Sequence, residues 1–263
     1  MTPVTLVRGT SPIVLAQPHS GTWLPDEVTE ALEPSARALV DTDWRIPELY
    51  EGLLPDATVV RAEFNRYVID ANRPPDDTSL YPGQNTTGLV PLHDFDGLPI
   101  WRCAPDEAET ARRLALYHAP YHEALRGELE RVKAQHGFAV LYDCHSIRSE
   151  APYLFDGILP DLNIGTNSGA ACSAAIERAV ERACKETDGF TSVLNGRFKG
   201  GWTTRHYGQP DMGVHAVQME IAQSAYLETE APPFALSHEK SARLRAVLAR
   251  VFAAIEDSFG EIA

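Results

Sequence analysis

Short apolar runs alternating with stretches of helical periodicity predict an α/β fold, a sheet flanked by helices. Runs rich in β-branched residues recur at 12–17, 57–64, 138–142, 190–194 and 216–221, each of strand length and bounded by turn formers. Three of them lead into residues that carry chemistry. The first runs into Gln17-Pro18-His19-Ser20-Gly21, the third into Asp143-Cys144-His145-Ser146, and the last ends on Met219-Glu220. The carboxyl ends of strands are where α/β sheets place their sites, so two strand-end histidines and a strand-end glutamate suggest a hydrolytic metal site.

The helices follow from the apolar period. Near the carboxyl end, Leu244, Val247, Leu248, Val251, Phe252, Ile255 and Phe259 recur at i, i+3, i+4 and i+7 with charges opposite, the pattern of a packing helix. A longer helix is predicted over 105–135, where Leu114, Tyr117, Tyr121, Leu125, Leu129 and Val132 share a stripe and Pro120 predicts a kink. An Ala-rich helix is predicted over 168–185, with Ile176 and Val180 inward. The segment 72–102 is rich in Pro, Gly, Asn and Thr, too long and irregular for a plain connector, and loops of that size commonly line a site.

No repeat, low-complexity tract or compositional break divides the 263 residues, which predicts a single domain over 1–263, and an apolar fraction of 44% fills its core. With 23 Lys and Arg against 37 Asp and Glu the formal charge is −14. No basic run offers a footprint for nucleic acid or an anionic membrane, so an anionic ligand has to be held by local arginines. Cys103, Cys144, Cys172 and Cys184 occur singly, which fits a reducing compartment. No signal-peptide pattern opens the chain and no apolar stretch approaches the ~20 residues that span a bilayer. These features predict a soluble, cytoplasmic protein.

A hydrolytic zinc ion takes about three protein ligands from separate elements and keeps one position open. His19 and His145 are the first candidates; the competing reading makes both hydrogen-bonded structural histidines. In Asp41-Thr42-Asp43-Trp44, Asp43 is the preferred third ligand and Asp41 the second choice, against a helix-capping role for Asp41. Asp143 shares a face with His145 if the strand stays extended, which would make it a partner of that ring rather than a ligand. Glu220 lies between Met219 and Ile221, and a carboxylate in an apolar strand needs a partner or a task. The task expected is that of general base, then acid; the competing reading is a buried ion pair with an arginine.

Other patterns carry less. His118 and His122 are spaced i, i+4 but lack the glutamate of HExxH and straddle Pro120. Gly196-Arg197-Phe198-Lys199-Gly200-Gly201 has neither a GK[ST] ending nor GxGxxG spacing. Cys144 points to the opposite face from His145, which argues against a Cys–His pair. Arginines in loops, by contrast, are natural receptors for a small dicarboxylate, because their forks bind carboxylates bidentately. The residues expected to contact a small anionic substrate are Arg66, Asn72, Arg73, Arg148, Asn195 and Arg205, with Arg66, Arg73 and Arg205 the preferred clamps.

Taken together, His19-Ser20-Gly21, Asp41-Thr42-Asp43-Trp44, Asn65-Arg66-Tyr67-Val68-Ile69-Asp70, Asn72-Arg73-Pro74-Pro75, Ser79-Leu80-Tyr81-Pro82-Gly83-Gln84, Asp143-Cys144-His145-Ser146-Ile147-Arg148, Asn195-Gly196-Arg197-Phe198-Lys199-Gly200-Gly201 and Gln218-Met219-Glu220 resemble the N-formylglutamate amidohydrolases, in order and from near residue 12 to about 226. The resemblance implies a three-layer α/β/α fold with a mixed sheet, similar to the zinc carboxypeptidases and of the phosphorylase/hydrolase-like type. It also implies hydrolysis of N-formyl-L-glutamate to formate and L-glutamate in a bacterial histidine-degradation route. Carboxypeptidases carry a glutamate three residues after their first histidine ligand; here that position is Thr22, so the third ligand has to be assigned elsewhere, to Asp43 by preference over Asp41. Glu220 stands where carboxypeptidase-like enzymes carry their catalytic glutamate.

Overall fold

A computed structural model describes residues 2–80, 83 and 85–262. Of the block 79–84 singled out above, Tyr81, Pro82 and Gln84 lie outside the described residues. Seven strands form one sheet: β1 (Val4–Val7), β2 (Ile13–Gln17), β3 (Thr58–Ala62), β4 (Ala139–Ile147), β5 (Leu162–Gly165), β6 (Ser192–Leu194) and β7 (Val214–Ala222). Their order across the sheet is β1-β3-β2-β4-β7-β5-β6. The central strands β3, β2, β4 and β7 are parallel, while β1 on β3 and β5 on β7 are antiparallel, so the sheet is mixed. Strands β2 and β4 lie side by side, yet the chain leaves β2 for β3 on one flank and returns to β4 on the other. A crevice at such a reversal is the usual ligand site of an open sheet.

Helices cover both faces: α1 (Asp26–Ala31), α2 (Ile46–Tyr50), α3 (Glu107–Arg113), α4 (Ala119–His136), α5 (Ala174–Lys185), α6 (Trp202–Tyr207) and α7 (His238–Asp257). Side chains alternate across each strand, so Ile13, Leu15, Val140, Tyr142, Val217 and Met219 pack with α2, α5 and α7. Their neighbours Val14, Ala16, Val60, Ala139, Leu141 and Ala216 pack with α1 and α4. Both faces of β2, β4 and β7 are thereby dry, which is why these strands read as continuous apolar runs.

Several boundaries differ from the sequence reading. Strand β4 continues to Ile147, so His145 lies within the strand rather than after it, its Cα in register with Glu220 of β7. The helix expected over 168–185 starts at Ala174: Asn167, Ser168 and Gly169 have positive φ, and the Ser173 hydroxyl caps the helix through Ile176 N–H. The helix expected over 105–135 is α3 and α4 joined by a π-helical turn, Leu114–His118, and that wider turn sits just ahead of Pro120, which has no N–H to donate. Strands β1 and β5 were not anticipated; each has four residues, too few for periodicity to register.

Candidate active site

His19 stands two residues beyond β2, on a backbone that Asp43 N–H holds through the His19 carbonyl at 3.1 Å. Gly21 lets this segment run against the end of β3: a Cβ there would meet the Glu63 carbonyl and the Phe64 oxygen at 2.5 Å. The same local contacts bring the Asp43 carboxylate beneath both histidines. Its Oδ2 lies 3.1 Å from His145 Nδ1 and 3.8 Å from His19 Nδ1, and accepts the Ser146 N–H at 3.1 Å. The rings of His19 and His145 are 4.9 Å apart, and all three side chains are buried.

Both histidines are held at the opposite nitrogen by a carboxylate. His19 Nε2 is 2.6 Å from Asp70 Oδ1, and His145 Nε2 is 3.0 Å from Asp143 Oδ1. A ring that donates Nε2–H to a carboxylate, as His19 does to Asp70, presents Nδ1 as a lone pair, the arrangement that orients metal-binding imidazoles; at His145 the Asp143 carboxylate stands at ion-pair distance from Nε2. Two Nδ1 atoms and a carboxylate oxygen converge, all within 4.8 Å of one another, and the second oxygen, Asp43 Oδ1, is buried with no hydrogen bond and with Arg66 Nη1 at 3.9 Å. A buried acceptor left unsatisfied beside two aligned nitrogens is what a cation would complete, so His19, Asp43 and His145 could hold a metal ion. Without one, burial and Arg66 lower the His19 pKa, whereas for His145 burial is overcome by Asp143 and Asp43, which raise it well above the usual imidazole value.

Glu220 faces the same floor. Gln218 Nε2 donates to its Oε2 at 3.1 Å, and Gln218 Oε1 in turn accepts Gly201 N–H at 2.7 Å. The amide orientation is therefore set, and with it the carboxylate. Burial pushes the Glu220 carboxyl up to about 8, with His145 acting in the opposite direction. A carboxyl poised near neutrality in a cleft is suited to carrying a proton.

Above this floor lies a cleft holding about 600 Å³ of space, its open mouth included. Arg66, Asn72 and Arg73, all predicted substrate contacts, line it together with Arg197. Arg66 is already ion-paired: its Nη2 donates to Asp70 at 2.8 Å and its guanidinium lies over the Phe95 ring. Arg73 donates to the Thr87 and Asn72 carbonyls and the Thr87 hydroxyl, and among the described residues no carboxylate lies within ion-pairing distance of it. The remaining predicted contacts stand apart from the lining. Arg148 pairs with Asp96 at 3.0 Å, Asn195 holds the Thr166 backbone and hydroxyl, and Arg205 donates to the Gly200 and Leu80 carbonyls. Asp41, the second choice as ligand, turns to Tyr67 OH and Phe95 N–H instead.

Residues that the sequence reading did not assign complete the site. Asp70 bridges His19, Arg66 and the Asn72 N–H; burial opposes its ionisation, but His19 and Arg66 hold its carboxyl well below the usual range. Its i, i+4 spacing from Arg66 is a signal that could have found it. Gln218 shares the Glu220 face of β7 by simple alternation, and that too was legible. The apolar walls, Phe95, Leu154 and Phe198, come from three separate loops and left no pattern.

Comparison with known proteins places this arrangement. The family model described as N-formylglutamate amidohydrolase matches residues 11–227. N-formylglutamate deformylase of Pseudomonas aeruginosa is 48% identical over 244 residues, covering 92% of this chain and 91% of its own. The Pseudomonas putida enzyme of the same name is 46% identical over 251 residues, covering 94% and 93%. The crystal structure of N-formylglutamate amidohydrolase from Ralstonia eutropha JMP134 superposes with a TM-score of 0.83 at 26% identity, over 99% of this chain and all of that one. The match spans His19, Asp43, His145 and Glu220, and the chain belongs to the N-formylglutamate amidohydrolase family.

Proposed function

We propose that the chain is a zinc-dependent amidohydrolase that cleaves N-formyl-L-glutamate to formate and L-glutamate, within a histidine-degradation route. The observation that carries this reading is the convergence of His19, Asp43 and His145 on one point beside Glu220, at the floor of a cleft lined by arginines. The names of the relatives support the substrate, and the nitrogen and oxygen donor set supports zinc.

A zinc ion held there supplies a Lewis acid for the formyl carbonyl. The residues of the chain do the rest. Glu220 takes a proton from the attacking water as the oxygen–carbon bond forms, and delivers it to the amine nitrogen as the carbon–nitrogen bond breaks. Gln218 keeps the Glu220 carboxylate in place through both transfers. Asp70 and Asp143 hold the two imidazoles in the tautomer that leaves Nδ1 for the metal. Arg73 and Arg197 meet the substrate carboxylates, while Arg66, with its charge balanced by Asp70, acts chiefly on the alignment of Asp70 and Phe95.

Formate release from N-formylglutamate, N-formylglutamine and N-formyl-leucine tests the reading. Loss of one charge-assisted contact costs ~1.5–3 kcal/mol, so the neutral analogues should fall roughly tenfold or more in kcat/KM. Equal rates on all three would remove the arginines from substrate recognition. No formate from any of them would favour a dicarboxylate-binding protein or a hydrolase of another acyl group.

A further inference from the structure

A second pair of buried histidines, outside the metal-binding group, is left unexplained by that function. His118 and His122 lie one turn apart at the start of α4, their rings 4.4 Å from each other. His122 Nε2 donates to the Ala71 carbonyl at 2.8 Å and His118 Nε2 to the Arg73 carbonyl at 2.9 Å. The two carbonyls flank Asn72. His122 Nδ1 is 3.1 Å from Tyr207 OH, and the Trp202 indole packs against both imidazoles.

Asn72 connects this pair to the active site. Its backbone N–H donates to Asp70 Oδ1 at 2.8 Å, and its side-chain Oδ1 accepts Thr203 N–H at 2.8 Å. Because Thr203 supplies a donor, the amide cannot flip, and Nδ2 packs 3.1 Å from His145 Nε2, a contact between two donors while Nε2–H faces Asp143, in the wall of the cleft. Gly201 closes against the same amide; a Cβ there would stand 2.3 Å from Nδ2. A side chain this tightly cradled needs its backbone fixed on both sides, and a loop of irregular residues cannot supply that by itself.

We infer that His118 and His122 are positioning residues that clamp the backbone on either side of Asn72, and so set the amide that faces His145 and the substrate. Neither ring belongs to the His19, Asp43 and His145 group or lines the cleft itself. Burial lowers the pKa of both, and His118 lowers that of His122 further. Neutral rings with Nε2–H toward a carbonyl are what the clamp requires.

The experiment compares glutamine with asparagine at each position in the metal-loaded enzyme. A glutamine amide reaches as far as imidazole Nε2 and still donates; an asparagine amide stops near Nδ1 and falls short of the carbonyl. The side-chain amide resonance of Asn72, assigned by its loss in Asn72→Ser, should stay in place in His118→Gln and His122→Gln and move or broaden in His118→Asn and His122→Asn. Losing one such hydrogen bond should raise KM about tenfold in the asparagine variants, with kcat and metal content within about threefold of wild type and the glutamine variants close to wild type. In an Asn72→Ser background, His118→Asn should add less than about twofold, because the two act as one unit. If His122→Asn fails to fold through loss of the Tyr207 contact, His118→Asn carries the same comparison. An unmoved Asn72 resonance, indistinguishable glutamine and asparagine variants, or effects that multiply with Asn72→Ser would overturn the inference. The KM readout rests on the deformylase reading and the resonance does not, so a wild type without turnover counts against that reading alone and the resonance still decides the clamp.

Discussion

The molecule buries two histidine pairs at similar ring separations, 4.9 Å for His19 and His145 and 4.4 Å for His118 and His122, and among the described residues only the first belongs to a group that could hold a metal ion. The difference lies in the partners. Each ring of the first pair has a carboxylate at Nε2 and shares a third carboxylate at Nδ1. In the second pair the Nε2 atoms meet backbone carbonyls, and His122 Nδ1 meets a tyrosine hydroxyl. Carbonyls fix a ring but add no net charge, and among the described residues no carboxylate lies within ion-pairing distance of either ring of the second pair. Burial and proximity of imidazoles are thus common to both pairs, and the carboxylates around the first pair are what set it apart.

The largest expected effect breaks the first pair. His145→Ala should remove stoichiometric metal and, with it, formate release, whereas His122→Ala should leave the metal in place; elemental analysis of the two purified variants reads this directly. Full metal content in His145→Ala would take that ring out of the ligand set. A smaller effect is expected one contact further out. Asp143→Asn keeps an acceptor for Nε2–H but loses the charge, and metal affinity should fall ~10–100-fold, measured by competition with a chromophoric chelator. Affinity unchanged in that variant would mean that Asp143 serves Thr204, its other partner at 3.1 Å, rather than His145.

The pH dependence of metal binding sharpens the same contrast. His145 has a raised pKa in the metal-free chain, so it holds a proton at neutral pH, and a metal must displace that proton. Apparent affinity should therefore rise with pH, by at most about tenfold per unit, and level off once the pH exceeds the raised value. The chelator titration repeated across pH reads this slope. A flat profile would mean that His145 is neutral before the metal arrives, and that Asp143 and Asp43 do not govern its charge.

The sequence disclosed the two regions unequally, for physical reasons. Strands β2, β4 and β7 are dry on both faces and read as apolar runs, so His145 and Glu220 within them and His19 just beyond β2 stood out as polar residues. Asp43 was harder, since nothing in Asp41-Thr42-Asp43 says which carboxylate turns inward; the backbone contact between Asp43 and the His19 carbonyl decides it. The arginines were legible as a class and not as individuals. Arg66, Arg73, Arg148 and Arg205 look alike in loops without period, yet the fold brings two of them to the cleft and engages the others with Asp96 or with backbone carbonyls. His118 and His122 were discounted as ligands because they lack the HExxH glutamate and straddle Pro120, and they lie outside the His19, Asp43 and His145 group; their contacts to Ala71 and Arg73 are long-range and had no local signature.

The central claim is that Glu220 moves the proton while His19, Asp43 and His145 hold the metal. Glu220→Gln keeps the shape and the contact to Gln218 but cannot accept a proton. Zinc content and formate release measured on one preparation of this variant test the division of labour most directly. The account predicts wild-type zinc and a fall in formate release of ~10²–10⁴-fold, the usual worth of a positioned general base. Loss of zinc would make Glu220 a ligand, and retention of both zinc and activity would place the base elsewhere.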